Sequence, residues 1–235
     1  MDRSRRQTLR HAAALGALTL CAPWRRLAAA ESKADQLARF WAEARPSFFD
    51  SYEVRSRNLR PFKKWNGALA RYTREQALRD TAGDCHAKTF NACHFRAWTD
   101  FLRTLAKDDR EAQARKVNAY MNKESYITDP VNWGKQDYWA SPGEFIARFG
   151  DCEDYAIAKY ISLKRIGFTD QDLRVVAVKD QNLRVGHAVM VAFIGGKTWL
   201  LDNQVDQMIE TKVVRHYEPV FSINGTFWWR HRRKA

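Results

Sequence analysis

The sequence predicts an α+β fold, with helices ahead of Gly167 and antiparallel strands after it. Apolar residues recur at helical spacing in the segments before Gly167. Beyond it the period changes to short apolar runs, and Gly195-Gly196 separates two of them as a two-residue hairpin signal. A third observation marks the centre of the chain. Gly150-Asp151-Cys152-Glu153-Asp154-Tyr155-Ala156-Ile157-Ala158-Lys159-Tyr160 sets one cysteine among three carboxylates at a helix start.

The elements follow in order. Residues 1–30 read as a cleaved export signal, with a basic stretch around Arg5-Arg6, a short apolar run from Ala12 to Ala22, and Ala28-Ala29-Ala30 as the cleavage site. The run is far below the roughly 20 residues that span a bilayer, and no other segment is apolar enough to cross one. Ser4-Arg5-Arg6 resembles a twin-arginine signal, although Thr8 stands where a large apolar residue is usual. Residues 31–235 suit a single domain. Ser32–Ala44 has helical spacing through Leu37, Phe40 and Trp41, whereas Arg45–Tyr72 shows no clear period and reads as loops with short helices. Ala92–Leu105 is a helix with Phe95, Trp98, Leu102 and Leu105 on one face, and Asp109–Asn122 is another. Tyr126–Trp139 reads as an aromatic-rich loop. Ser141-Pro142-Gly143-Glu144 is a capping box opening a helix that ends near Phe149-Gly150, which delivers the chain to Cys152. The Cys152 helix has Tyr160, Leu163 and Ile166 on one face and stops at Gly167. Strands are expected at Leu173–Val178, Gly186–Ile194 and Lys197–Asp202. The basic end, Arg230-His231-Arg232-Arg233-Lys234, reads as a solvated tail.

The formal net charge is +13. Residues 1–30 carry six arginines against one aspartate, which leaves +8 for residues 31–235. That excess favours acidic surfaces, but without zinc-finger spacing or an RNA-binding signature it does not point to nucleic acid. Past the signal there are three cysteines, Cys85, Cys93 and Cys152. Cys85 and Cys93 are near enough in sequence to pair, to join His86 and His94 around a metal, or to sit as buried thiols. Pairing would leave Cys152 as an odd, reactive thiol.

Cys152 is pulled two ways. The positive end of a helix favours a thiolate, while three neighbouring carboxylates disfavour it. A bound cation is the simplest reconciliation; the same carboxylates would also suit a first helical turn through the macrodipole. Spacing supplies a partner. If Ile194 faces Lys197 across the turn, Val189 faces Asp202. His187 is then a diagonal cross-strand neighbour of Asp202, about 7–8 Å away before side chains reach. Cysteine, histidine and a carboxylate that orients the histidine form a nucleophilic set. The Cys152 backbone N–H, with a side chain from Trp133–Trp139, would serve as oxyanion donor.

These residues resemble the bacterial transglutaminase-like cysteine proteases of the LapG type. The likeness runs through Val117-Asn118, Asp137-Tyr138-Trp139, Pro142 with Glu144-Phe145, Gly150 to Tyr160, His187-Ala188-Val189 and Leu201-Asp202-Asn203. It covers most of residues 110–205 and is loose before them. It implies a papain-like, transglutaminase-like core in which the nucleophile helix packs on an antiparallel β-sheet. It also implies a periplasmic endopeptidase with Cys152, His187 and Asp202 as catalytic triad. Such proteases cut a large surface adhesin near its N-terminus at a paired-alanine site, which releases cells from a biofilm. They require Ca²⁺, here expected on Asp151, Glu153 and Asp154, and an inner-membrane cyclic di-GMP receptor can sequester them. Calcium takes about six to eight oxygens, so further ligands are expected from elsewhere. A transglutaminase or amidase of the same fold, or a non-catalytic periplasmic binding protein, are the competing readings.

Overall fold

The computed structural model describes residues 48–233. The expected signal over 1–30 and the helix expected over Ser32–Ala44 lie outside the described residues. Strand β1 (Ser51–Ser56) comes first, followed by helices α1 (Lys63–Glu75), α2 (Ala92–Thr104), α3 (Arg110–Met121), the short α4 (Asp129–Asn132), α5 (Pro142–Arg148) and α6 (Cys152–Arg165). Strands β2 (Leu173–Asp180), β3 (Val185–Ile194), β4 (Lys197–Leu201), β5 (Ile209–Glu210), β6 (Tyr217–Ile223) and β7 (Trp228–Arg233) complete the chain. All seven strands form one antiparallel sheet in the order β1-β7-β6-β2-β3-β4-β5.

The helix starts obey local chemistry. The Asn91 side chain accepts the Cys93 N–H at 2.9 Å and Asp109 accepts the Ala112 N–H at 2.8 Å; such caps contribute about 1 kcal/mol each. The Ser141–Glu144 capping box forms as its spacing predicts. Helix α6 differs from its one-sided pattern, since every residue from Asp154 to Leu163 is buried. The sheet covers one side of α6, while α3 and α5 pack on others. Small Ala156 and Ala158 suit such close packing.

Both faces of the sheet are covered, which explains why β2 and β3 read as continuous apolar runs. Leu173, Val175, Met190, Ala192 and Leu201 face the helices. Val176, Val178, Val189, Val191 and Leu200 pack on the other face against Phe48, Phe49, Val214 and Tyr217. Cys85 and Cys93 are joined in a disulfide, and His94 spends Nε2 on the Cys85 carbonyl at 2.8 Å. The pair is thereby removed as a metal site.

Two regions depart from the sequence reading. Arg45–Tyr72 contains strand β1 and the start of a 13-residue helix rather than loops alone. Arginine, lysine and asparagine dilute the apolar period of α1, but Trp65 and Ala68 are fully buried. The basic end is not a solvated tail: Trp228–Arg233 is β7, paired with both β1 and β6. Its anchor is His231, buried between Ser51 Oγ at 2.8 Å and Ser222 Oγ at 2.9 Å. Burial, with Arg174 nearby, pushes the imidazole down to about 3, so it stays neutral and bridges three strands.

Candidate active site

Three elements build the site: the start of α6, the outer end of β3, and the residue after β4. Asp151 is the N-cap of α6 and Cys152 its first residue. Gly150 is required by close approach, because a Cβ there would lie 2.1 Å from Asp154 Oδ2. Asp154 uses that oxygen to accept the Asp151 N–H at 3.3 Å and the other to accept the Ala140 N–H at 2.6 Å. It thus ties the end of the aromatic loop to the helix start. Phe149, just before, has φ 64° and ψ −166°, a region L-residues rarely adopt and one that costs roughly 1–3 kcal/mol. The local turn into Cys152 is therefore held by its surroundings.

The hairpin expectation is met in register. Gly195 and Gly196 both have positive φ, Ile194 pairs with Lys197, and Met190 pairs with Leu201. The diagonal relation closes into a hydrogen bond: His187 Nε2 lies 2.9 Å from Asp202 Oδ1. Asp202 also receives the Gln204 N–H at 3.0 Å on Oδ1 and the Tyr217 hydroxyl at 2.6 Å on Oδ2. Burial opposes its ionisation, but the bonds from His187, Gln204 and Tyr217 outweigh it and hold the carboxyl below its ordinary range. The Ala188 backbone N–H, next to His187, is near enough to the Cys152 sulfur to favour its thiolate, against the larger effects of burial and the neighbouring carboxylates. Cys152 thus lies beside the residue that follows His187 in β3. Such an arrangement can pass a thiol proton to an imidazole whose tautomer a carboxylate fixes.

The thiol itself is strongly disfavoured from ionising. Burial comes first, then the charges of Glu153 and Asp151, and Cys152 Sγ donates to Glu153 Oε2 at 3.2 Å. Burial and Asp151 push Glu153 in turn up to about 8. The acidic cluster is larger than the sequence reading had it. Asp129 and Asp137 from the aromatic loop join Glu153, and Asp129 also joins Asp151 and Asp154, with ligand atoms in each group within 4.8 Å of one another. Asp129 donates its N–H to Asp151 Oδ2 at 3.3 Å and accepts the Tyr138 N–H on Oδ2. Asp129 Oδ1 and Asp151 Oδ1 are buried with no hydrogen-bond partner. Two orphaned carboxylate oxygens on residues that cluster with Asp154 fit a hard divalent cation.

Other neighbours were not singled out from the sequence. Tyr126 bridges to Gly150 and stacks on Tyr155 at 6.3 Å. It lies close to the Cys152 backbone and to the charges of Cys152, Asp151 and Glu153. Lys159, two turns below Cys152, is completely buried with Nζ unpartnered, and burial pushes it down to about 7 despite the nearby Asp202 charge. Glu144 links the loop to α1, accepting from Arg71 Nε and the Tyr138 hydroxyl, both at 2.8 Å. Only the Asp-Pro and Asp-Tyr-Trp pairs hinted at Asp129 and Asp137; nothing local marks Tyr217, which lies far along the chain.

A cysteine at a helix start, packed on an antiparallel sheet that carries the histidine, defines a transglutaminase-like cysteine protease. The pattern of the bacterial transglutaminase-like cysteine proteinase family matches residues 76–219, more than half of the chain, and the chain belongs to that family. Among solved structures it is similar to calcium-bound LapG of Legionella pneumophila, at 28% identity over 69% of this chain and 91% of that one, with a TM-score of 0.57. It is also similar to EGTA-treated LapG of the same organism, at 28% identity over 72% and 87% of the two chains and a TM-score of 0.56. No curated protein sequence matches it closely enough to count as a relative.

Proposed function

We propose that this protein is a calcium-dependent periplasmic endopeptidase that cleaves a large surface adhesin near its N-terminus. The observation that carries the proposal is the convergence of Cys152, Ala188 and the His187–Asp202 pair at one strand end. In this reading His187 takes the Cys152 proton and the sulfur attacks the scissile carbonyl carbon. The imidazolium then protonates the leaving amine, and water, activated by the same imidazole, hydrolyses the thioester. Asp202 fixes the tautomer and stabilises the imidazolium; it keeps its own negative charge throughout. The Cys152 backbone N–H contributes to stabilising the carbonyl oxygen as it becomes an anion.

Asp151, Glu153 and Asp129 would hold the calcium ion, with Asp137 and Asp154 beside them, and the bound charge would offset the carboxylates that keep the thiol protonated. Support for calcium comes from the orphaned oxygens and from the likeness to a LapG solved with calcium. The Cys85–Cys93 disulfide favours an oxidising compartment, in keeping with a cleaved signal over residues 1–30. A paired-alanine site, a role in biofilm release and sequestration by an inner-membrane cyclic di-GMP receptor follow from the family likeness.

The test is cleavage of adhesin fragments containing paired alanines, read by mass spectrometry with calcium, with chelator, and with Cys152→Ala. Cutting that needs both calcium and Cys152 is expected. Cutting that continues in Cys152→Ala would overturn the reading.

A further inference from the structure

Strand β3 is only half paired on one side. Its neighbour β2 accompanies it from Val185 to Ala192, but β4 covers Met190–Ile194 alone. Ile194 and Lys197 flank a two-residue turn and form its hydrogen-bonded pair. Even-numbered residues of β3 therefore aim their N–H and C=O toward β4, and odd-numbered ones toward β2. The odd-numbered Phe193 obeys this, giving its N–H at 2.8 Å to Asp172, just before β2. The same alternation carries Ala188 and Gly186 past the end of β4. By this alternation the Ala188 N–H points to that side, where Cys152 lies near it. Gly186 is exposed, with both ladder groups pointing into the space beside it.

Nothing in the fold explains a glycine there. Its φ is not in the left-handed region, and a Cβ would meet nothing within 4 Å. Glycine inside a strand costs roughly 0.5–1 kcal/mol relative to alanine, and it often marks close approach by another backbone. Met190, Ala188 and Gly186 share one side of β3 and shrink in that order toward Cys152. Apolar side chains flank the opening: Val185 is 50% exposed, Leu183 59%, and Tyr126, at the Cys152 amide, 54%.

We propose that the Gly186 end of β3 is the docking edge for substrate, which binds in extended form as an added strand continuing the line of β4. Resting on the cysteine-protease reading, this inference names how the substrate is held. The substrate residue opposite Gly186 donates its N–H to the Gly186 carbonyl and accepts the Gly186 N–H. That pairing lays the scissile bond across Cys152, and the missing side chain at 186 leaves room on the sheet face for the side chain of the paired substrate residue. Main-chain pairing selects an unfolded, extended segment; the neighbouring Val185 and Leu183 favour apolar side chains in it.

The test compares two alkylating reagents on Cys152 at neutral pH in calcium: iodoacetamide, and a tri-alanyl chloromethyl ketone that carries a peptide backbone. Gly186→Val is expected to slow the peptidyl reagent at least tenfold, and Gly186→Ala by less. Iodoacetamide rates should stay within twofold of wild type and the melting temperature should be unchanged, since a Cβ at 186 enters open space. Methylating the amide nitrogens of the peptidyl reagent one at a time should reproduce the loss at one position in wild type, with little further loss in Gly186→Val. Equal effects of Gly186→Val on both reagents, or none on the peptidyl one, would overturn the docking edge while leaving the protease reading standing. A wild-type Cys152 inert to iodoacetamide would sink the protease reading and this one with it.

Discussion

Asp202 and Asp151 are two carboxylates of the same candidate site with opposite surroundings. Asp202 is completely supplied: His187, Gln204 and Tyr217 donate to its two oxygens, and its carboxyl is held below the ordinary range. Asp151 keeps one buried oxygen without a partner, as does its neighbour Asp129, and burial raises both above the ordinary range. The chain therefore satisfies one carboxylate by itself and leaves the other pair with oxygens unfilled. A buried anion with full hydrogen bonding is a fixed part of a machine; one with orphaned oxygens is a receptor.

The sharpest way to break this contrast is to remove charge from each side in turn. Asp202→Asn should lower kcat by about 10³–10⁴-fold, and raising calcium should not restore it, since the defect lies in the imidazole. Asp151→Asn or Asp129→Asn should instead lower apparent calcium affinity at least tenfold, with activity returning at high calcium. Calorimetry checks the same point through stability. Calcium should raise the wild-type melting temperature, because a ligand that binds only the folded state stabilises it, and the Asp151→Asn protein should need more calcium for the same shift. Tyr217→Phe removes one bond to the ionised Asp202, and a loss of about 1.5–3 kcal/mol is expected in denaturant unfolding.

Lys159 gives the most specific effect, one confined to a pH window. Its folded value of about 7 lies below the roughly 10.4 of an exposed lysine. Between those values the unfolded chain binds more protons, so Lys159 makes stability rise with pH across that window, by at most about 1.4 kcal/mol per unit. Lys159→Met should remove that component of the slope. His231 acts in the same direction at lower pH. Its folded value of about 3 lies below an ordinary histidine's, so the stability it contributes should be lost as pH falls from about 6.5 toward 3.

What the sequence disclosed follows the range of the forces involved. Caps, the glycine hairpin and the helix that bears Cys152 depend on residues a few positions apart, and each formed where spacing put it. The His187–Asp202 pair was legible for the same reason, since a two-residue turn converts sequence separation into register. Partners brought from afar left no local mark. Tyr217 reaches Asp202 from β6, which no hairpin turn registers against β4, and Asp129 meets Asp151 across 22 positions. Strand β7 was misread because Arg230, Arg232 and Arg233 look solvated, while its pairing partner β1 lies at the other end of the described chain. Helix α1 was missed because charged residues interrupt its apolar positions, and its burial comes from α5, which follows much later.

The measurement that tests the central claim most directly is the rate of Cys152 alkylation by iodoacetamide at neutral pH, followed with calcium and with excess chelator. Cys152→Ala controls for labelling elsewhere. The account predicts rapid alkylation in calcium and a fall of at least tenfold in chelator, because burial and the uncompensated acidic cluster around Glu153 and Asp151 then hold the proton on sulfur. Equal rates in the two conditions would contradict it: the acidic cluster would then not govern the nucleophile.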